Sequence, residues 1–391
     1  MTTTAQNTSD GNRIHFLDNL RAFVVFLVIV CHAGGVYESS GIWASFWIVD
    51  DPSVNNTSGL VNLVLDIFMM PTLFLISGYL AAASLLRHRP WSFITSKLRR
   101  LMLPWIIAAL TLIPLYKVIF LYSRNLPQEH WRTYFHWSNG IWNQNWLWFL
   151  PVLFLFNLLY LLLTSLRIKL PPVSLKSAIL GASVLGFTYS LAIDQLGLFG
   201  WTKTFLLDFQ NERLLIYFLA FLVGALCFKR GAFEGKPKGK VLFYTVNATS
   251  WIPITAYIAF LLFPWIKPGQ NIVSPIADKL ILWSSFHLSL LCLVYTAVET
   301  FRRYLNTTGR LREQLNRNSY YVYIIHVIVT GGLALLMLEM ALPSLVKYAI
   351  LTVSTFVLSH LVVSVVRLAS ARTEGRIGAS MIVSQQESVG I

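Results

Sequence analysis

The chain has 391 residues, of which 55% are apolar and only 12% charged, whereas a soluble domain carries roughly a quarter of its residues charged. An ordinary water-soluble fold is thereby excluded. The formal net charge of +14 would point to nucleic acid in a soluble protein. Here the placement of the cations accounts for it in another way.

Residues 1–15 are polar. The apolar run after them carries Asp18, Asn19 and Arg21 at its start and no small-residue cleavage site at its end, so it reads as a retained span and not as a signal peptide. Runs of about 17 to 25 mostly apolar residues are long enough to cross the hydrocarbon. They are expected at 16–36, 60–83, 101–122, 146–166, 177–198, 212–228, 241–263, 279–298, 319–341 and 345–366. The sixth is short and has Glu212 and Arg213 at its mouth. Residues 367–391 form a polar tail, and no linker or soluble block divides the chain. The expectation is one all-α, polytopic membrane domain of about ten spans over 1–391.

Orientation follows from Lys and Arg in the connections. With the amino terminus in the cytoplasm, inner segments hold 22 of them, and outer connections hold only Arg124, Arg132, Lys203 and Lys267. Both termini are therefore cytoplasmic. The basic charge is explained as a topogenic signal with attraction to anionic lipid, and no nucleic-acid partner is needed. Cys31, Cys227 and Cys292 each stand alone within apolar runs, which supports neither a disulfide framework nor a metal site.

Ionisable groups inside a span cost roughly 2.5 to 3.5 kcal/mol on insertion scales and are functional candidates by default. In the first span, Arg21 and His32 are eleven residues apart, about 20° from alignment and about 16 Å along the axis. Asp18 falls on nearly the same stripe, at ion-pairing distance from Arg21. Asp18 and Arg21 could equally anchor the helix end, with His32 bonded to a neighbouring helix. Asp66 in the second span is an acid able to orient a histidine. In the ninth span, Ser319, Tyr323, His326 and Thr330 recur at i, i+4, i+7 and i+11, either a supporting polar face or interhelical glue. His287 and His360 read as core or interface histidines. Lys97, Arg99 and Arg100, near Arg87 and Arg89, form an inner cluster suited to phosphate or to topology alone. The outer connection 124–148 is rich in aromatic and amide side chains, among them His130, Trp131, His136, Trp137, Trp142, Asn143, Asn145, Trp146 and Trp148. Such a set suits a sugar or an interfacial belt.

LDNLRAFVVFLVIVCHAGG resembles the opening signature of the membrane acyltransferase-3 family, in which an Arg near the start of the first helix and a His eleven residues later are the functional pair. FMMPTLFLISGYLAAASLL is similar to that family's second span. KLRRLMLPW resembles its basic motif before a proline, although Lys97 stands where Arg is usual. NWLWFLPVLFLFNLLY and NSYYVYIIHVIV are similar to its fourth-span and late S-Y-x-x-Y-x-x-H segments. No single motif is specific, but five in order are.

The resemblance implies a membrane-bound O-acyltransferase, placed in a bacterial inner (plasma) membrane. It would move an acyl group, acetyl or succinyl, from cytoplasmic acyl-CoA to a hydroxyl of a glycan or other extracytoplasmic acceptor. The glucan-modifying branch is the nearest in character. Acyl-CoA would be a co-substrate, with no permanently bound cofactor. His32 would act as base or as acyl carrier, Arg21 would hold the donor or Asp18, and Lys97, Arg99 and Arg100 would hold CoA phosphates. Asn145, Trp146 and Trp148 would face the acceptor. A secondary transporter is the alternative, but the Arg21 and His32 pair has no counterpart in the second half, and no internal repeat is evident.

Overall fold

In lipid every backbone polar group must find its partner within the protein, so each apolar run folds as a helix. A computed structural model describes residues 14–39, 46–135, 144–166 and 173–388. It contains α1 (His15–Gly34), α2 (Asn56–Arg87), α3 (Pro90–Lys97), α4 (Leu103–Ser123), α5 (Phe149–Ser165), α6 (Leu175–Gln195) and α7 (Leu214–Lys229). It continues with α8 (Lys240–Thr249), α9 (Trp251–Ile266), α10 (Pro275–Tyr304), α11 (Arg310–Met337) and α12 (Ser344–Ser388). Among the described residues, nine helical stretches are long and apolar enough to cross a membrane, and α7 is a shorter apolar tenth. The all-α polytopic architecture is thus present, with every expected run in a helix.

Several helices outrun their apolar cores because capping chemistry, and not hydropathy, sets their ends. The Asn55 side chain accepts from Ser58 N at 2.8 Å and starts α2. Ser274 accepts from Ala277 N at 3.2 Å, with Pro275 in the first turn of α10. The expected run 241–263 is broken at Ser250 into α8 and α9. Pro253 explains the break, since its ring lacks an N–H and would strike the carbonyl four residues back, at Thr249. A two-stranded antiparallel hairpin, β1 (Trp201–Lys203) and β2 (Asp208–Gln210), was not expected in the outer connection before α7.

Among the described residues, hydrogen bonds and an ion pair join connections within each of the two sets that the cation count assigns. At the outer end Lys347 Nζ pairs with Asp51 Oδ2 at 3.0 Å, both side chains 1% exposed. There Arg124 Nη2 donates to Trp47 O at 3.0 Å, and Gln144 N donates to Asp208 Oδ2 at 3.1 Å. At the inner end Phe16 N donates to Asn306 Oδ1 at 3.1 Å, and Arg302 Nη2 to Glu234 O at 3.2 Å.

α2 and α7 make the closest helix pair. A Cβ on Gly78 would fall on Phe221 O, and one on Gly224 would fall on Leu75 O, so each glycine lets the other helix's backbone approach. α7 has 16 residues, which makes it about 24 Å long against a hydrocarbon core of about 30 Å. Phe74 of α2 lies over Tyr217 of α7 with ring centroids 5.2 Å apart and closes the centre of the bundle.

Candidate active site

His32 lies in the last turn of α1, toward the outer end, and the structure brings it to His326 of α11. His32 Nδ1 and His326 Nε2 are 2.7 Å apart, and the two ring planes differ by 1°. His326 Nδ1 is 2.7 Å from Tyr323 O. Those partners order the hydrogens. A carbonyl only accepts, so His326 Nδ1 carries the hydrogen; the Nε2 of a neutral His326 is then an acceptor, and His32 must donate to it through Nδ1. The lone pair of His32 therefore sits on Nε2. Trp47 Nε1 donates to His32 O at 2.9 Å, and its ring lies 4.8 Å from the His32 ring. The histidine is thus held from two sides.

His32 lines a cavity of about 710 Å³ shared with Asp66, Asn145, Trp146, Trp148 and Tyr323, all nominated from sequence. Tyr323 OH donates to Trp146 O, and Trp146 Nε1 donates to Ile324 O at 2.9 Å, so the turn Asn145–Trp148 is tied to the helix that carries His326. Asn145 takes φ +50, a left-handed conformation that Asn adopts more readily than most residues. The hairpin adds Trp201, Lys203, Asp208 and Gln210 to the wall. Trp148 and Trp201 meet edge to face at 5.4 Å. Burial raises the Asp208 carboxyl above its usual range, while N–H donors from Gln144 and Thr204 pull it back. His136, Trp137, Trp142 and Asn143 lie outside the described residues.

Three expectations need correction. Asp66 pairs with Arg213, its Oδ2 2.6 Å from Arg213 Nη1, and the His326 nitrogens are engaged by His32 and Tyr323 O. Arg213, at the mouth of a short run, was the stronger electrostatic partner. On α11, Ser319 and Thr330 are buried, but their hydroxyls donate to Asn316 O and His326 O of their own helix. Of that stripe, Tyr323 and His326 make side-chain hydrogen bonds to other segments. His287 is buried, its Nδ1 bonding to Trp283 O at 2.8 Å, but its Nε2 has no hydrogen-bond partner among the described residues, so it is not the fully paired core histidine expected.

At the inner end Arg21 Nη2 is 3.2 Å from Asp18 Oδ1, and it also donates to Asn316 O at 3.4 Å. Arg99 and Arg100 are exposed on a π-helical turn, Leu98–Met102, which joins α3 to α4. The Lys97 ammonium sits 5.1 Å from the Phe93 ring centre. Tyr320 OH donates to Arg100 O at 2.5 Å. One turn of α11, from Asn316 to Tyr320, therefore touches both the Arg21 pair and the basic turn. The Arg21–Asn316 contact and the histidine pair are set at two depths along the same two helices, α1 and α11.

A family model described as an acyltransferase domain, that of acyltransferase family 3, matches residues 14–363. The chain belongs to the acyltransferase-3 family. No curated protein and no solved structure matches it. This acyltransferase is a multi-pass membrane protein whose matched region spans α1 through most of the apolar part of α12.

Sequence reasoning missed part of the acyltransferase cavity. Asn62 of α2 is 4% exposed and lies on the wall; it stands one turn before Asp66 on a face that also carries Met69 and Met70. The i, i+4 spacing of Asn62 and Asp66 was a visible signal. The hairpin residues gave none, since two strands of three residues are too short for alternation to register.

Proposed function

We propose that this acyltransferase takes the acyl group of an acyl-CoA presented at the inner end and passes it to a hydroxyl of a glycan or similar acceptor held in the outer cavity. The observation that supports this most is the ordered chain from Tyr323 O through His326 to His32, which leaves the lone pair on Nε2 of a histidine that lines that cavity. Such a nitrogen is suited to general-base work on a hydroxyl.

In the reaction, His32 Nε2 takes the hydroxyl proton as the acceptor oxygen bonds to the thioester carbon. The carbon–sulfur bond breaks, and the thiolate leaves with the proton that His32 releases. The products are an ester and free CoA. Arg21 stays protonated and acts as a fixed charge. Together with Lys97, Arg99 and Arg100 it would meet the anionic parts of the donor. Acetyl and succinyl groups are the expected cargo, and the aromatic rim at Trp148 and Trp201 suits a sugar face.

The test is thiol release by purified, reconstituted protein given acetyl-CoA or succinyl-CoA with a glycan acceptor. Acceptor-dependent release is expected, abolished by His32→Gln, which keeps a hydrogen-bonding group but cannot serve as a base. Arg100→Ala should raise the donor KM more than it lowers kcat, because a remote phosphate contact contributes mainly uniform binding. Solute movement without thiol release would make the protein a carrier, and near-normal turnover of a well-folded His32→Gln protein would remove the catalytic role of His32.

A further inference from the structure

We infer that Asn62 and Asp66 form a subsite that recognises the two hydroxyls flanking the one presented to His32, so that the acceptor is a polyol ring and not an isolated alcohol. This rests on the reading of the outer cavity as the acceptor site. Asn62 carries the argument. Its side chain is 4% exposed, it lies on the cavity wall, and neither its amide nitrogen nor its amide oxygen has a hydrogen-bond partner among the described residues. Burying an amide with both ends unpaired costs stability and is rare in folded proteins. The structure also makes room for it: a Cβ on Gly34 would come within 2.7 Å of Asn62 Oδ1, so the glycine two residues after His32 is what admits the amide there.

Asp66 supplies the complementary half. Its Oδ2 is taken by Arg213 at 2.6 Å, and Arg213 also donates to Asp66 O at 3.1 Å and to Tyr257 OH at 3.3 Å. The guanidinium is 7% exposed and the carboxylate 44% exposed, so the cation is buried behind the acid and the acid faces the cavity. A carboxylate fixed in this way accepts from hydroxyls and donates nothing.

The two residues are one helical turn apart, about 6 Å along α2. α1 and α2 are antiparallel neighbours in register at Gly34 and Asn62. His32, two residues back along α1, therefore sits at a depth between the amide and the carboxylate. A ring bound across this step gives one hydroxyl to Asp66, takes or gives a bond at Asn62, and sets the hydroxyl between them toward His32. A lone hydroxyl leaves at least one of those groups unpaired.

The test measures binding separately from transfer. Calorimetry without acyl-CoA would compare a neutral gluco-oligosaccharide with its fully O-methylated form on detergent-purified protein. The wild type is expected to bind the free oligosaccharide and to reject the methylated one. Asn62→Leu should weaken oligosaccharide binding roughly tenfold or more and narrow that discrimination, yet raise the melting temperature, since it removes an unpaired buried amide. Asp66→Asn should weaken binding roughly ten- to hundredfold, as expected for hydrogen bonds to a charged group. If it misfolds because Arg213 loses its counter-ion, Asn62→Leu still decides.

Oligosaccharide affinity unchanged in a well-folded Asn62→Leu protein would overturn the subsite, as would equal binding of the methylated form by the wild type. Selective binding lost in Asn62→Leu, but with no thiol release from any acyl-CoA, would uphold the subsite while removing acyl transfer.

Discussion

Replacing His326 separates a residue that positions the base from one that carries the chemistry. His326 touches His32 through a single 2.7 Å contact and is 0% exposed, so its effect on the reaction passes through the tautomer and orientation of His32. A neutral hydrogen bond contributes about 0.5 to 1.5 kcal/mol net, which corresponds to roughly a two- to tenfold change in the population of the productive tautomer. His326→Leu should therefore lower kcat by roughly that factor, with the donor KM unchanged. Loss of the base itself at His32→Ala should cost about a hundredfold to ten-thousandfold. His326→Gln offers a carbonyl oxygen to His32 Nδ1 and should recover most of the lost rate. The assay is steady-state thiol release on protein that elutes as a single folded species, with kcat and KM resolved for each variant. If folded His326→Leu is as inactive as His32→Ala and Gln rescues nothing, the positioning argument is wrong and His326 takes part in the transfer directly.

Two other outcomes test the frame around the site. Gly78→Ala drives a methyl onto Phe221 O, and Gly224→Ala does the same to Leu75 O, so each should cost about 1 to 3 kcal/mol of stability. The double variant should cost clearly less than the sum, because one pair of helices need separate only once, and additive losses in melting experiments would refute the shared contact. A single reporter cysteine within 229–240 should be labelled only from the cytoplasm and one within 124–135 only from outside; labelling of both from one face would remove the orientation.

The sequence was informative where one helix carried the whole message. Asp18, Arg21 and His32 lie on one stripe of α1, and both the ion pair and the alignment could be read from spacing alone. The stripe through Tyr323 and His326 was equally visible. What spacing could not supply was that the stripes of α1 and α11 meet, because His32 and His326 are joined across 294 residues and only tertiary packing sets that register. Arg213 shows a different obstacle. It stood at the mouth of a short apolar run with nothing to name its partner, whereas the fold buries it and pairs it with Asp66. Lys347 and Asp51 were hidden in the same way, 296 residues apart and each unremarkable in its own segment. The ends of α2 and α10 were displaced because caps, and not hydropathy, fix them.

The shortness of α7 has a consequence for where the acyl group changes hands. A helix about 6 Å shorter than the hydrocarbon has a deficit that tilting would only enlarge, and its backbone contact with α2 fixes its level in the bundle. The hairpin that feeds it lines the outer cavity with Trp201 and Lys203, so the short helix brings that wall nearer the inner end of the bundle. On the proposed reaction, that shorter wall shortens the path between the inner cations and the acceptor's cavity, so the acyl group travels less than the full hydrocarbon thickness.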